Sequence, residues 1–237
     1  MVSWLRVGAG VRSLFGGLPA GVVGLPGPGV LVGASYTASP VGPYVELALA
    51  VPARLGLRPG LCVVWQLVSS ADARAAYRSN WGLPAVVGPL SWSAVGGSWT
   101  LRCEDPGIEL RGSAVGGRHV VGGLPLLLPM RSLQRRADGP VVLPRRMFGL
   151  ARPARTFVSV GDDPVAAALG GGGAGTGLAG PHWGMLLSSV RMTALPARHP
   201  AGFWSSLRAP LQVAEPVMST AADPLQLPPA RACSSVG

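Results

Sequence analysis

Residues 44–52, YVELALAVP, alternate with a period of two: Val45, Leu47, Leu49 and Val51 fall on one side, Glu46, Ala48 and Ala50 on the other. That period belongs to a β-strand. Apart from Glu46 both sides are apolar, the pattern of a strand buried on both faces. A carboxylate in such a strand either meets a cation or lines a cavity, because an isolated buried charge is strongly unfavourable. LCVVWQLVS (61–69) predicts a second buried strand. Ser69 or Ser70 then caps a short helix through ADARAAYR, which Asn80, Gly82 and Pro84 bring to an end. SWSAV (91–95) and SWTLR (98–102), separated by Gly96-Gly97, have hairpin spacing, and a Pro106-Gly107 turn leads into the alternating IELRGSAV. An antiparallel meander is expected there. ARTFVSV (154–160) and GMLLSSVRMTAL (184–195) predict further strands, with an Ala/Gly-rich stretch over 165–180 between them.

Composition changes this picture in one respect. The 237 residues include 35 Gly and 24 Pro, and all 20 basic residues are arginine against 10 acids, a net charge of +10. There is no lysine. Such a charge suits nucleic acid, a membrane surface or anionic small molecules. The arginines are scattered, however, and are denser only at Arg131, Arg135, Arg136, Arg145, Arg146, Arg152 and Arg155. Aromatic residues are not interleaved with them as a single-strand binding groove requires, so no specific nucleic-acid partner is expected. Gly and Arg interrupt the apolar runs of the first 17 residues before they reach the length of a signal-peptide core or a membrane span, and no membrane partner is expected.

Candidate chemistry is sparse. Cys62, Cys103 and Cys233 are too few and too far apart for a disulfide framework or a CxxC metal site, which fits a reducing cytoplasm. Cys103 sits beside Glu104 and Asp105, which disfavour a thiolate. His119, His182 and His199 share no ligand spacing, so neither a metal nor another cofactor is expected. No GxSxG elbow supports a hydrolytic triad. The run Gly175 to Gly180 fits GxGxxG in form, but it opens no predicted helix and no acid follows at ribose spacing, so it reads as a loop.

Two segments gain meaning when taken together, SPVGPYVEL (39–47) and RSNWGLP (78–84). They resemble the acetoacetate decarboxylase family, whose members carry a segment like S-x-x-G-x-Y-x-E and then an arginine, a short spacer ending in proline, and a lysine. Ser39, Gly42, Tyr44 and Glu46 match the first segment, and Arg78, Trp81, Gly82 and Pro84 the second. MRSLQRRADGPVVLP and GPHWGMLLSSV extend the likeness more faintly, so that it covers most of the chain. In such enzymes the lysine amine forms a Schiff base with a β-keto acid, activated by desolvation or by a neighbouring cation. Here the nucleophile position is Ala85 and the adjoining one Val86. Arginine is no substitute, since its guanidinium stays protonated.

The resemblance implies a mainly β (α+β) domain over residues 1–220, with curved antiparallel sheets, a barrel-like core around a central cavity and a few short helices. An irregular tail is expected over 221–237. It also implies a homo-oligomer. The function expected is that of a family member without Schiff-base chemistry, holding a small carboxylic or carbonyl compound. Tyr44, Arg78, Asn80, Trp81, Ala85 and Val86 would form the ligand site, with Glu46 as the residual acid or base. An enzyme of another reaction type using Glu46, and an arginine-rich chain that meets an acidic macromolecular partner, stand as alternatives. Glu46 and Arg78 are also readable as a structural ion pair, and Tyr44 and Trp81 as core or pocket wall.

Overall fold

The structure, a computed structural model, describes residues 2–5, 18–105, 107–115, 124–161 and 179–198. Expectations for residues 6–17, the Ala/Gly-rich stretch through 178, His119, His199, Cys233 and the 220/221 boundary lie outside these residues. The first half of the chain contains β1 (Val2–Leu5), β2 (Val22–Gly24), β3 (Gly29–Tyr36), β4 (Tyr44–Leu55) and β5 (Arg58–Val68). Helix α1 (Ala71–Trp81) leads to β6 (Ala85–Val87), β7 (Leu90–Val95), β8 (Ser98–Cys103) and β9 (Ile108–Ala114). The second half contributes β10 (Leu124–Arg136), β11 (Gly139–Val160) and β12 (Gly180–Ala194). Among the described residues α1 is the one helix, and it is too short to cross a membrane.

All twelve strands join one sheet in the order β10-β5-β4-β3-β1-β12-β11-β9-β8-β7, with β2 attached to β4 and β6 to β5. The mainly β expectation holds, with two refinements. The sheet curls round a cavity without closing into a barrel: β10 and β11 pair along their length, from Leu124↔Ala151 to Arg136↔Gly139, but β10 meets β5 in register only at Ser132↔Leu61. The sheet is also mixed, because β6 and β10 run parallel to β5. The β6 pairing follows from α1, since a crossover helix returns the chain in its original direction.

Strand β11 is much longer than the 154–160 segment that alternation alone picks out. Its first part lies between β10 and β12, and its last part, Ala154 to Val160, pairs with β9. The pairing of β11 with β12 shifts register between Phe148 and Leu150. Pro144, Gly149 and Pro153 interrupt the strand signal in the sequence.

Strand β4 performs the two-sided role its pattern predicts. Leu47, Leu49 and Val51 are sealed in the main core with Leu31, Leu101, Leu110 and Leu133. Glu46, Ala48 and Ala50 face a cavity instead. The turn into β4 is built by the first motif: Ser39 Oγ donates to the Gly42 carbonyl (2.6 Å) and accepts from the Val41 amide (3.2 Å), and Gly42 adopts φ +80°. Ser39 and Gly42 therefore serve the turn that delivers Tyr44 and Glu46.

The second motif ends α1. Ser70 caps the helix at the N-terminus through the Ala73 amide, and Gly82 ends it in the left-handed conformation (φ +64°), its amide bonding back to the Arg78 carbonyl. A Cβ at Gly82 would collide with the Arg135 carbonyl oxygen of β10. Gly82→Ala is therefore expected to cost at least ~2 kcal/mol of stability, through both positive φ and backbone collision. Denaturant unfolding of the variant against the parent measures it.

Candidate functional site

Glu46 is buried (5% exposed) with both carboxylate oxygens engaged. Gln66 of β5 donates from Nε2 to Oε1 at 3.0 Å, and Tyr77 of α1 donates to Oε2 at 2.7 Å. The Tyr44 and Tyr77 hydroxyls lie 2.6 Å apart. Because Tyr77 gives its single proton to Glu46, Tyr44 must donate to the Tyr77 oxygen. The result is a one-way chain of hydroxyls, Tyr44 to Tyr77 to Glu46.

Tyr36 stacks on Tyr44 at 4.6 Å between ring centroids, its cross-strand partner in register. These are all the tyrosines in the chain. Burial raises the Tyr36 and Tyr77 phenols well above their ordinary range, and the neighbouring Glu46 charge raises both further. The Tyr44 phenol is pushed up to about 12, mainly by burial. All three are therefore protonated hydrogen-bond donors at neutral pH.

The cavity has a volume of about 540 Å³. Its polar end is formed by Glu46, Tyr36, Ser35 and Thr37 together with Arg145 of β11. Arg145 is 9% exposed, and its Nε and Nη2 have no hydrogen-bond partner among the described residues. Those two nitrogens form one edge of the guanidinium, whose paired N–H groups match the two oxygens of a carboxylate. The Arg145 guanidinium carbon lies 6.0 Å from the centroid of the Trp81 ring, and Trp81 packs against Tyr77 at 5.1 Å. Both Glu46 and Arg145 act electrostatically on Tyr36 and Tyr44, which ties them to the same end of the cavity.

The expected site residues thus divide. Glu46 lines the cavity, Tyr44 is bound to it through Tyr77, and Trp81 reaches the site through Arg145. Ala85 is fully buried in a cluster with Tyr44, Val68, Ala73, Tyr77 and Leu83. It lies beside Gln66 in register, and Gln66 lies beside Ala48, so Ala85 is on the cavity side of the sheet without being part of the cavity wall. Arg78, Asn80 and Val86 are exposed and outside that wall. The convergence of Glu46 with Arg78, as ligand pair or ion pair, is therefore corrected. Ala73 and Tyr77 point α1 inward at i and i+4, which turns Arg78 and Asn80 outward. Val86 follows Ala85 on a strand and so faces the opposite way.

Sequence reasoning missed Arg145, Tyr77, Gln66 and Tyr36. Arg145 was visible only as one of several arginines in a basic stretch. Gln66 was the detectable one: a lone amide within an otherwise apolar strand is the same signal that singles out Glu46. Cys103, beside its acids, has a thiol pushed up to about 11, chiefly by burial, and Cys62 is likewise pushed up to about 12. Neither is poised as a nucleophile at neutral pH.

No family model and no curated protein sequence matches this chain. Solved structures do. The acetoacetate decarboxylase of Legionella pneumophila subsp. pneumophila str. Philadelphia 1 superposes with a TM-score of 0.53 at 14% identity, covering 82% of each chain. An acetoacetate decarboxylase-like enzyme from Sphingomonas wittichii RW1 gives 0.51 at 15% identity, over 83% of this chain and 90% of its own. The enduracididine biosynthesis enzyme MppR, complexed with pyruvate, gives 0.52 at 14% identity, over 81% and 86%. The chain therefore has the acetoacetate decarboxylase-like fold.

Because every tyrosine belongs to this one cluster, phenolate absorbance reports on the site alone. The folded phenols titrate above the ordinary value of 10.0, Tyr44 near about 12. The unfolded chain releases phenolic protons first, so the stability they contribute is intact below pH 10 and is lost as pH rises toward 12. An alkaline titration of native protein is expected to show no phenolate at pH 10, where protein unfolded in denaturant is half-ionised. Parallel denaturant curves should lose stability only above that pH.

Proposed function

We propose that the protein binds a small carboxylic or carbonyl compound in this cavity without Schiff-base chemistry. Arg145 holds the carboxylate through Nε and Nη2, and Glu46 with its hydroxyl chain faces the reactive end. The observation that carries this reading is the buried guanidinium edge without a hydrogen-bond partner among the described residues, in the wall of the same cavity as Glu46. A buried cation left unpaired is costly, and an anionic ligand relieves that cost. The like-folded MppR complexed with pyruvate, a small keto acid, lends support. A homo-oligomer in the cytoplasm, as the sequence led us to expect, belongs to the same proposal.

Calorimetry with acetoacetate as probe tests the anchor. Arg145→Met is expected to weaken binding at least ~30-fold, because truncating one partner of a buried charge pair costs about 2–5 kcal/mol. Arg78→Met, changed on the exposed side of α1, should leave the affinity as it was. Equal effects from the two substitutions would remove Arg145 from its role.

A second reading, in which Glu46 acts as general base on a carbonyl compound, is favoured by one observation. Glu46 stands in the wall of the cavity with its two oxygens held in place by Gln66 and Tyr77, as a positioned base requires. In either case the chain lacks the amine of a Schiff-base decarboxylase. Ala85→Lys restores it on the cavity side, next to Gln66 and against Tyr77. This variant should lose about 1–3 kcal/mol of stability through overpacking. With acetoacetate and borohydride it is expected to give an adduct at residue 85, read by mass spectrometry, while the parent gives none beyond its N-terminal amine. A folded variant without that adduct would show that residue 85 does not reach the ligand.

A further inference from the structure

We infer that the compound held here is a monocarboxylic acid with an extended apolar tail, not an acid of acetoacetate size. The inference rests on the carboxylate reading given above and adds the identity of the rest of the ligand. It starts from the register of β3 and β4. Ala34 pairs with Glu46, Val32 with Ala48 and Val30 with Ala50, so the cavity floor runs from one charged residue into successive apolar pairs. At ~3.4 Å per residue, the floor from Glu46 to Ala50 is about 13 Å long, the reach of an extended chain of roughly ten carbons.

The lining from β11 and β12 is likewise apolar beyond its one cation. Arg145 is followed on its face of β11 by Met147, and β12 adds Met185, Leu187 and Met192. Thioether side chains are unbranched and adaptable, suited to a flexible hydrocarbon chain. Both charges act on Tyr36 and Tyr44, and apart from Ser35, Thr37 and Ser132 the rest of the lining is apolar. At about 30 Å³ per water molecule, 540 Å³ holds on the order of eighteen waters, and a methylene group is of similar size. A short keto acid leaves most of that space to water against apolar walls. A tail fills it and releases that water.

Three small residues create the space. Ala34, Ala48 and Ala50 stand where strands buried on both faces ordinarily carry Val, Ile or Leu. The core face of the same strand carries Leu47, Leu49 and Val51, all with essentially no exposure. The difference is confined to the cavity side.

The decisive experiment is calorimetry of the full chain with a straight-chain series from butanoate to dodecanoate below micellar concentrations, with acetoacetate and decanol as controls. Affinity is expected to rise about fourfold per added methylene up to roughly ten carbons and then to level off. Decanol should bind at least tenfold more weakly than decanoate. Ala50→Phe, which occupies the apolar end, should shorten the preferred acid by several carbons and leave butanoate unchanged. If acetoacetate and butanoate bind as tightly as decanoate, the tail is refuted while the Arg145 anchor stands. If decanol equals decanoate, or no acid binds, the carboxylate reading falls and this inference with it. The series in the parent protein decides the matter even if Ala50→Phe does not fold.

Discussion

The structure around the cavity depends on holding the Glu46 carboxylate away from bulk water. A buried carboxylate must be met by hydrogen-bond donors, and here they come from two separate elements, Gln66 on β5 and Tyr77 on α1. That requirement pins the helix against the sheet. Tyr77 in turn needs a donor for its own oxygen, which Tyr44 supplies, and Tyr36 covers Tyr44 by stacking. The chain's entire phenol content is arranged around one acid. Removing Tyr77 or Gln66 would strand buried polar groups, which costs more than the hydrogen bond itself contributes.

The cavity is the second consequence of the same strand. One face of β4 carries leucine and valine and seals the core, and the other carries the acid and two alanines. Space arises because β3 and β4 leave it unfilled, and it persists because the curled sheet brings β11 and β12 to the far side. That curvature also places Arg145 opposite Glu46's strand, with Trp81 over its guanidinium. Glu46 takes its hydrogen bonds from neutral donors, and among the described residues none is made by Arg145 Nε or Nη2. One cavity wall therefore includes both a hydrogen-bonded carboxylate and a guanidinium, each acting on the same tyrosines.

The local pattern was legible wherever short-range rules decide. Alternation in YVELALAVP marked both faces of β4, the serine before ADARAAYR marked the helix start, and Gly82 marked its end. The paired glycines between β7 and β8 marked the hairpin. The long β11 was hidden, because its prolines and glycine break a propensity signal that cross-strand pairing with three neighbours overrides. How far the barrel-like core closes was hidden for a related reason. Closure is settled by how far β10 and β5 stay in register, and no single segment encodes that.

By itself the sequence determined that a carboxylate would lie inside a two-faced strand, that no lysine amine stands at Ala85, and that Gly82 would help end the helix. These follow from side-chain periodicity, chemical identity and backbone φ, all local properties of the chain. Only the tertiary structure decided which cation the cavity contains. Arg78 stands near the motif in sequence but turns outward on α1, whereas Arg145, about a hundred residues from Glu46 in the chain, is carried to the cavity by strand pairing. A helix rotates each successive side chain by roughly 100°, so neighbours in sequence face different surroundings, while a curled sheet joins residues with no sequence proximity at all.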